Sequence, residues 1–117
     1  MCHVLIIEDE WLIADHTAQL VEAAGNHTIA FAGSEDDAVA QAQAHQPMVI
    51  ISDVNLGSGS DLSAVKRILA SLGEIPVMFV TGEPRGFEPH LAATPVLHKP
   101  VDDQLLIATF RAIAPLT

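Results

Sequence analysis

Cysteine occurs once, tyrosine not at all, and lysine and arginine together only five times in 117 residues. A lone Cys2 cannot close an intrachain disulfide, so no disulfide framework supports the fold. The five basic residues (Lys66, Arg67, Arg85, Lys99, Arg111) are scattered and face fifteen acidic ones, for a formal charge of −10. With no basic stripe to follow a phosphate backbone or an anionic bilayer, direct DNA binding and membrane adhesion are not expected. No apolar run approaches the roughly 18 residues of a membrane helix. The opening Val4-Leu5-Ile6-Ile7-Glu8 is too short and too soon acidic for a signal sequence, which points to a cytoplasmic protein.

What is present is a chain that is 50% hydrophobic, enough for one buried core and too short for two ordinary domains. One domain over residues 1–117 is expected, with no linker, repeat or low-complexity segment and no room for an effector after Ile113. Parallel strands covered on both faces read as short continuous apolar runs. Such runs occur at Val4–Ile7, Met48–Ser52 and Val77–Val80, with weaker ones at Thr28–Ala32 and Pro95–His98.

Helical patterns lie between the runs. The first should run from Trp11 to Ala24, with Leu12, Ile13, Leu20 and Val21 inward, Asp15, Gln19 and Glu22 outward, and Gly25 as its stop. The second opens on Ser34, with Asp37 three residues on, and ends near His45. The third starts near Ser60 or Asp61 and repeats Leu62, Val65, Ile68, Leu69 and Leu72; the last starts at Asp102 and carries Leu105, Leu106, Phe110 and Ile113. Alternating strands and helices imply a doubly wound, five-stranded parallel sheet with helices on both faces. Thr81 to Thr94 holds two prolines and two glycines where a further helix is due, so that fourth helix should be short or irregular.

In such a sheet, ligands sit beyond the carboxyl ends of the strands. The residues found there are Glu8, Asp9 and Glu10, then Asp53, Thr81 and Lys99. Three converging carboxylates need a cation, and an all-oxygen donor set suits magnesium. An ammonium, a hydroxyl, a divalent ion and a carboxylate nucleophile are the parts needed to take a phosphoryl group on Asp53. Read blandly, the acidic trio is a solvated loop favouring the helix dipole, and Asp53 a turn residue. The strand ends together favour the metal reading, with Glu10 left as a first-turn residue.

The stretches IIEDEWLIA, IISDVNLGSGSDL, PVMFVTGE and VLHKPV, in this order and spacing, resemble the receiver domains of two-component response regulators over essentially the whole chain. That resemblance implies the flavodoxin-like strand order 2-1-3-4-5. It implies that Asp53 takes phosphate from a histidine kinase or histidine phosphotransfer protein. Magnesium would be held by Glu8, Asp9, Asp53 and the backbone carbonyl of Asn55. Lys99 would contact the acyl phosphate, Thr81 would move toward it, and the Lys99–Pro100 bond would be cis. Asn55 and Glu83 occupy the two positions that set phosphate lifetime, and this pair implies fast spontaneous dephosphorylation.

Val96 stands where many receivers carry a tyrosine or phenylalanine, so the usual threonine–aromatic relay lacks its aromatic. Thr81-Gly82 resembles a mainly alphaproteobacterial subset of receivers, some stand-alone and some in general-stress regulators, with Phe87 as the nearest aromatic. There, ordering of residues 82–94 could replace the aromatic flip as the switch. The output partner is not named by the sequence.

Two rival functions share these parts. A pseudo-receiver would bind partners without accepting phosphate. A hydrolase of the haloacid dehalogenase type would place its nucleophile after the first strand and a second Asp where Asn55 stands. Two readings stay open for Trp11: exposure beside the acidic pair, or packing against the loop after the third strand. The six histidines show no ligand spacing, and Gly57-Ser58-Gly59-Ser60 reads as a flexible loop.

Overall fold

The computed structural model describes residues 2–25, 27–54, 60–82 and 94–115. Along the chain run β1 (His3–Ile7), α1 (Trp11–Ala23), β2 (Thr28–Ala32), α2 (Glu35–Ala44), β3 (Val49–Val54), α3 (Ser60–Leu72), β4 (Val77–Thr81), β5 (Val96–His98) and α4 (Asp103–Ile113). The strands pair in parallel, in the order β2-β1-β3-β4-β5. The doubly wound sheet expected from the apolar runs is therefore the observed one.

Alternation of side chains along each strand divides the interior into two cores. On one face Val4, Ile6, Val49, Ile51, Met78 and Val80 meet Ala14, Ala18 and Val21 of α1 and Leu106 and Phe110 of α4. On the other, Leu5, Ile7, Ile50, Val77 and Phe79 meet Ala38 and Ala42 of α2 and Ala64, Val65 and Ile68 of α3. Both faces are covered, which is why each central strand reads as an unbroken apolar run.

The inward face of α1 is the expected one at Val21 and, half-buried, at Ile13 and Leu20, but not at Leu12. Leu12 is 81% exposed, while Ala14, Ala18 and Val21 point into the core. Spacing of four and three residues makes these a single stripe, and alanines at its centre let the helix lie close on the sheet. Leu105 is likewise 51% exposed, and Leu106 and Phe110 form the buried stripe of α4. Residues 83–93, where the irregular fourth helix was expected, lie outside the described residues.

Helix starts follow the capping residues. Ser34 Oγ accepts from the backbone N–H of Asp37 at 3.1 Å, and an Asp102 carboxylate oxygen accepts from that of Leu105 at 2.9 Å. Each satisfies a donor that the first helical turn leaves unpaired. Ser34→Ala should lower unfolding free energy by about 1 kcal/mol in urea denaturation. An unchanged midpoint would show that the hydroxyl is replaced by water at no cost. At the end of α3, Gly73 takes φ +91° and donates its N–H to the Leu69 carbonyl at 2.9 Å, a turn any Cβ would strain.

Candidate functional site

The carboxyl ends of β1, β3, β4 and β5 meet at one edge, as the topology requires. Asp53 lies within β3, paired in register with Val80, and Val54 pairs with Thr81. The strand thus runs two residues further than the apolar run Met48–Ser52 suggested. Pairing with β4 rather than a turn fixes the backbone of Asp53.

Lys99 reaches Asp53 from the end of β5, Nζ to Oδ2 at 2.5 Å. Its backbone is fixed because its N–H donates to the Thr81 carbonyl at 2.8 Å, and the Lys99–Pro100 peptide bond that follows is cis. Burial pulls the Lys99 ammonium down, but the hydrogen bond and charge of Asp53, with Glu8 and Glu10 behind it, leave it raised overall. Lys99 is therefore a fixed cation at neutral pH.

Glu8 follows β1, its N–H donating to the Ala32 carbonyl at 2.9 Å. Burial first, then its contact with Asp53 and then with Asp9, pushes the Glu8 carboxyl from 4.5 up to about 9. One of its oxygens, Oε1, is buried without a hydrogen-bond partner. Asp9 and Glu10 are exposed beside it.

Among the described residues, no set of three acidic, histidine or cysteine side chains stands at ligand spacing in this arrangement. What the residues show is a Glu8 carboxyl pushed toward its neutral form against Asp53, with one buried oxygen that has no hydrogen-bond partner. A hard, oxygen-seeking divalent cation fits that donor set. Glu8, Asp9 and Asp53 are the described residues that would hold it.

Thr81 is fully buried at the end of β4, and Gly82 after it is exposed, a Cβ there reaching within 3.9 Å of the Lys99 side chain. Val96, at the position of the missing aromatic, is half-buried against the core that holds Phe79. Asn55, Glu83 and Phe87 lie outside the described residues. Trp11 resolves toward exposure, at 63%, with its ring edge-on to Phe31 of β2 at 5.3 Å.

Two residues beside the site carry no motif. His16 Nε2 of α1 meets Asp103 Oδ1 of α4 at 3.1 Å, joining the two helices. Sequence reasoning passed over both, because their partnership spans the whole fold. Of the other histidines, His3 stacks on His45 with ring centroids 3.7 Å apart, at the opposite end of the sheet.

A doubly wound domain whose strand ends gather carboxylates, an ammonium and a buried hydroxyl has its polar site at the carboxyl edge of the sheet, where ligands sit in this class of protein. The chain belongs to the response regulator receiver domain family, which it matches over residues 4–111. It is 41% identical over 86 residues to the phyllosphere-induced regulator PhyR of Methylorubrum extorquens, a match covering 72% of this chain and 32% of that protein. Among solved structures, PhyR from Brucella abortus superposes with a TM-score of 0.83 at 31% identity, covering 97% of this chain and 47% of that one. Chemotaxis protein CheY4 of Vibrio cholerae gives 0.81 at 26% identity, covering 97% and 98%. The chain thus spans about a third of the length of its curated PhyR relative, and the two PhyR matches agree with the subset that Thr81-Gly82 resembles. No helix among the described residues is long and apolar enough to cross a membrane.

Proposed function

We propose that residues 1–117 act as one receiver unit in which Asp53 accepts a phosphoryl group from a phosphohistidine of a histidine kinase or phosphotransfer protein. The observation that carries this reading is the Asp53 carboxylate held at 2.5 Å by Lys99, with the carboxyl of Glu8 against it. Glu8, Asp9, Asp53 and the carbonyl of Asn55 would hold magnesium, which when bound would supply positive charge to offset these carboxylates and the phosphoryl oxygens.

The protein's own groups do the rest. An Asp53 oxygen attacks phosphorus, a P–O bond forms as the donor's P–N bond breaks, and the departing imidazole takes up a proton. Lys99 moves its ammonium from the carboxylate to the phosphoryl oxygens, where charge accumulates. Thr81 supplies a hydroxyl to the same oxygens. The domain assists its own phosphorylation and, through Asn55 and Glu83, its rapid dephosphorylation. The change alters contacts with an output protein.

Acetyl phosphate with magnesium should add one phosphoryl mass to the wild type. A wild type left unmodified would favour a binding module that never accepts phosphate. Turnover of a generic phosphomonoester would favour a hydrolase.

Glu8 sets the pH dependence. In the metal-free protein it keeps its proton between 4.5 and about 9, a range in which the unfolded chain has already released it. Metal-free stability therefore falls as pH rises through that window. Magnesium replaces the proton, so its stabilisation should grow with pH. Thermal melts at about pH 5.5 and about pH 8.5 should give a magnesium-induced rise in Tm that is larger by a few degrees at the higher value. Equal shifts would contradict the role given to Glu8.

A further inference from the structure

At the end of the sheet opposite Asp53, the rings of His3 and His45 lie face to face, with centroids 3.7 Å apart and planes within 5° of parallel. Both backbones are fixed by pairing. His3 is in register with Thr28 of β2, and its carbonyl accepts from the N–H of Met48 at 2.7 Å, just before β3. His45 closes α2, its N–H donating to the Gln41 carbonyl at 3.0 Å. The pair is therefore a product of the fold, set where the end of α2 meets the starts of β1 and β3.

The surroundings favour a cation over an anion. A helix end presents carbonyl oxygens and the negative end of its dipole, α2 has no basic residue in its last turn, and the chain carries a charge of −10. His3 is also oriented as a ligand is. Its Nδ1 lies 2.8 Å from Thr28 Oγ1, and that hydroxyl donates onward to the Cys2 carbonyl at 3.5 Å. With the hydroxyl proton engaged there, Nδ1–H donates to Oγ1 and Nε2 keeps its lone pair. Metal-bound histidines are held through their second nitrogen in the same way.

Imidazole donors suit zinc and not magnesium, and zinc, with no geometric preference from its d electrons, takes tetrahedral sites that water can complete. Parallel rings do not aim two nitrogens at one point, so ligation needs one ring to turn. His45 is exposed, and its side chain can turn while Thr28 keeps His3 in place.

We propose that His3 and His45 bind a zinc ion, each through one imidazole nitrogen and with water in the remaining positions, and that the ion clamps the end of α2 to the start of β1. The stacked rings are the resting arrangement of the unloaded pair. The site shares no residue with the carboxylates around Asp53, and it stands whether or not Asp53 accepts phosphate.

The test is a calorimetric titration of the chain with zinc chloride at about pH 7.5, where imidazole is ordinarily neutral. Excess magnesium is present to keep zinc from the carboxylates around Asp53. One zinc per chain should bind. His45→Phe, which keeps a ring for the stack but has no nitrogen, should weaken binding at least about tenfold, since loss of even a supporting contact costs a metal site that much. The ring proton signals of His3 and His45 should shift together as zinc is added. Zinc should also raise the Tm of the wild type and not that of His45→Phe.

Equal zinc affinity in His45→Phe, movement of only one of the two rings, shifts centred on other histidines, or no binding below about 1 mM zinc would overturn the proposal. If His45→Phe does not fold, the histidine shifts of the wild type decide alone.

Discussion

Replacing Lys99 by alanine will slow phosphorylation of Asp53 by about 10²- to 10³-fold, the usual loss when one preorganised positive partner of a developing charge is removed. The expectation follows from geometry. Lys99 is fixed through its own backbone to Thr81, and its ammonium already sits 2.5 Å from an Asp53 oxygen. No side chain elsewhere in the described site could replace it, since the remaining charges there are carboxylates. Stability should change far less than rate, because Lys99 remains about a third exposed and its ion pair is partly screened. Time courses with acetyl phosphate at saturating magnesium, with urea melts on the same preparations, separate the two effects. A variant that is phosphorylated at the wild-type rate would remove Lys99 from the mechanism.

Phe79→Ala will cost about 3–5 kcal/mol of folding stability, a large part of the roughly 5–15 kcal/mol available to a domain. Phe79 is fully buried in the centre of β4, packed with Ile7, Ile50 and Val65 on the α2–α3 face. Truncation leaves a cavity that strands hydrogen-bonded on both sides cannot close. Because β4 also carries Thr81 and receives the Lys99 N–H, the loss should extend to the site. Urea denaturation read by circular dichroism measures it. A loss under about 1 kcal/mol would show that the neighbouring side chains relax into the space.

The parts of the fold that were legible in sequence are those where burial is two-sided. Val4–Ile7 and Val77–Val80 read as strands covered on both faces, and both are. The ends were less legible: β3 continues through Asp53 and Val54 because pairing with Val80 and Thr81 satisfies their backbone whatever their side chains. The faces of α1 and α4 were misread at Leu12 and Leu105. A hydrophobic side chain near a helix start scores as core by composition. Here, however, the distance of the helix from the sheet is set by Ala14 and Ala18, and Leu12 is turned away.

In the site, Glu8, Asp53, Thr81 and Lys99 were legible because each lies at or next to the carboxyl end of a strand and strand ends converge. Their pairing was not. That Lys99 holds Asp53 and that Glu8 is pushed toward its neutral form are consequences of distance and burial, which spacing does not encode. The pairing of His16 and Asp103, 87 residues apart, was invisible for the same reason.

Asp53 as the phosphoryl acceptor is the claim on which the rest depends. An acyl phosphate is reduced by borohydride to an alcohol, which at an aspartate leaves homoserine. The wild-type chain, incubated with acetyl phosphate and magnesium, reduced, digested and sequenced by mass spectrometry, should carry homoserine at position 53 and at no other acid. Asp53→Asn treated alike should carry none. Homoserine at Asp9, the longer alcohol 2-amino-5-hydroxypentanoic acid at Glu8, or a wild type with no label at all, would contradict the account.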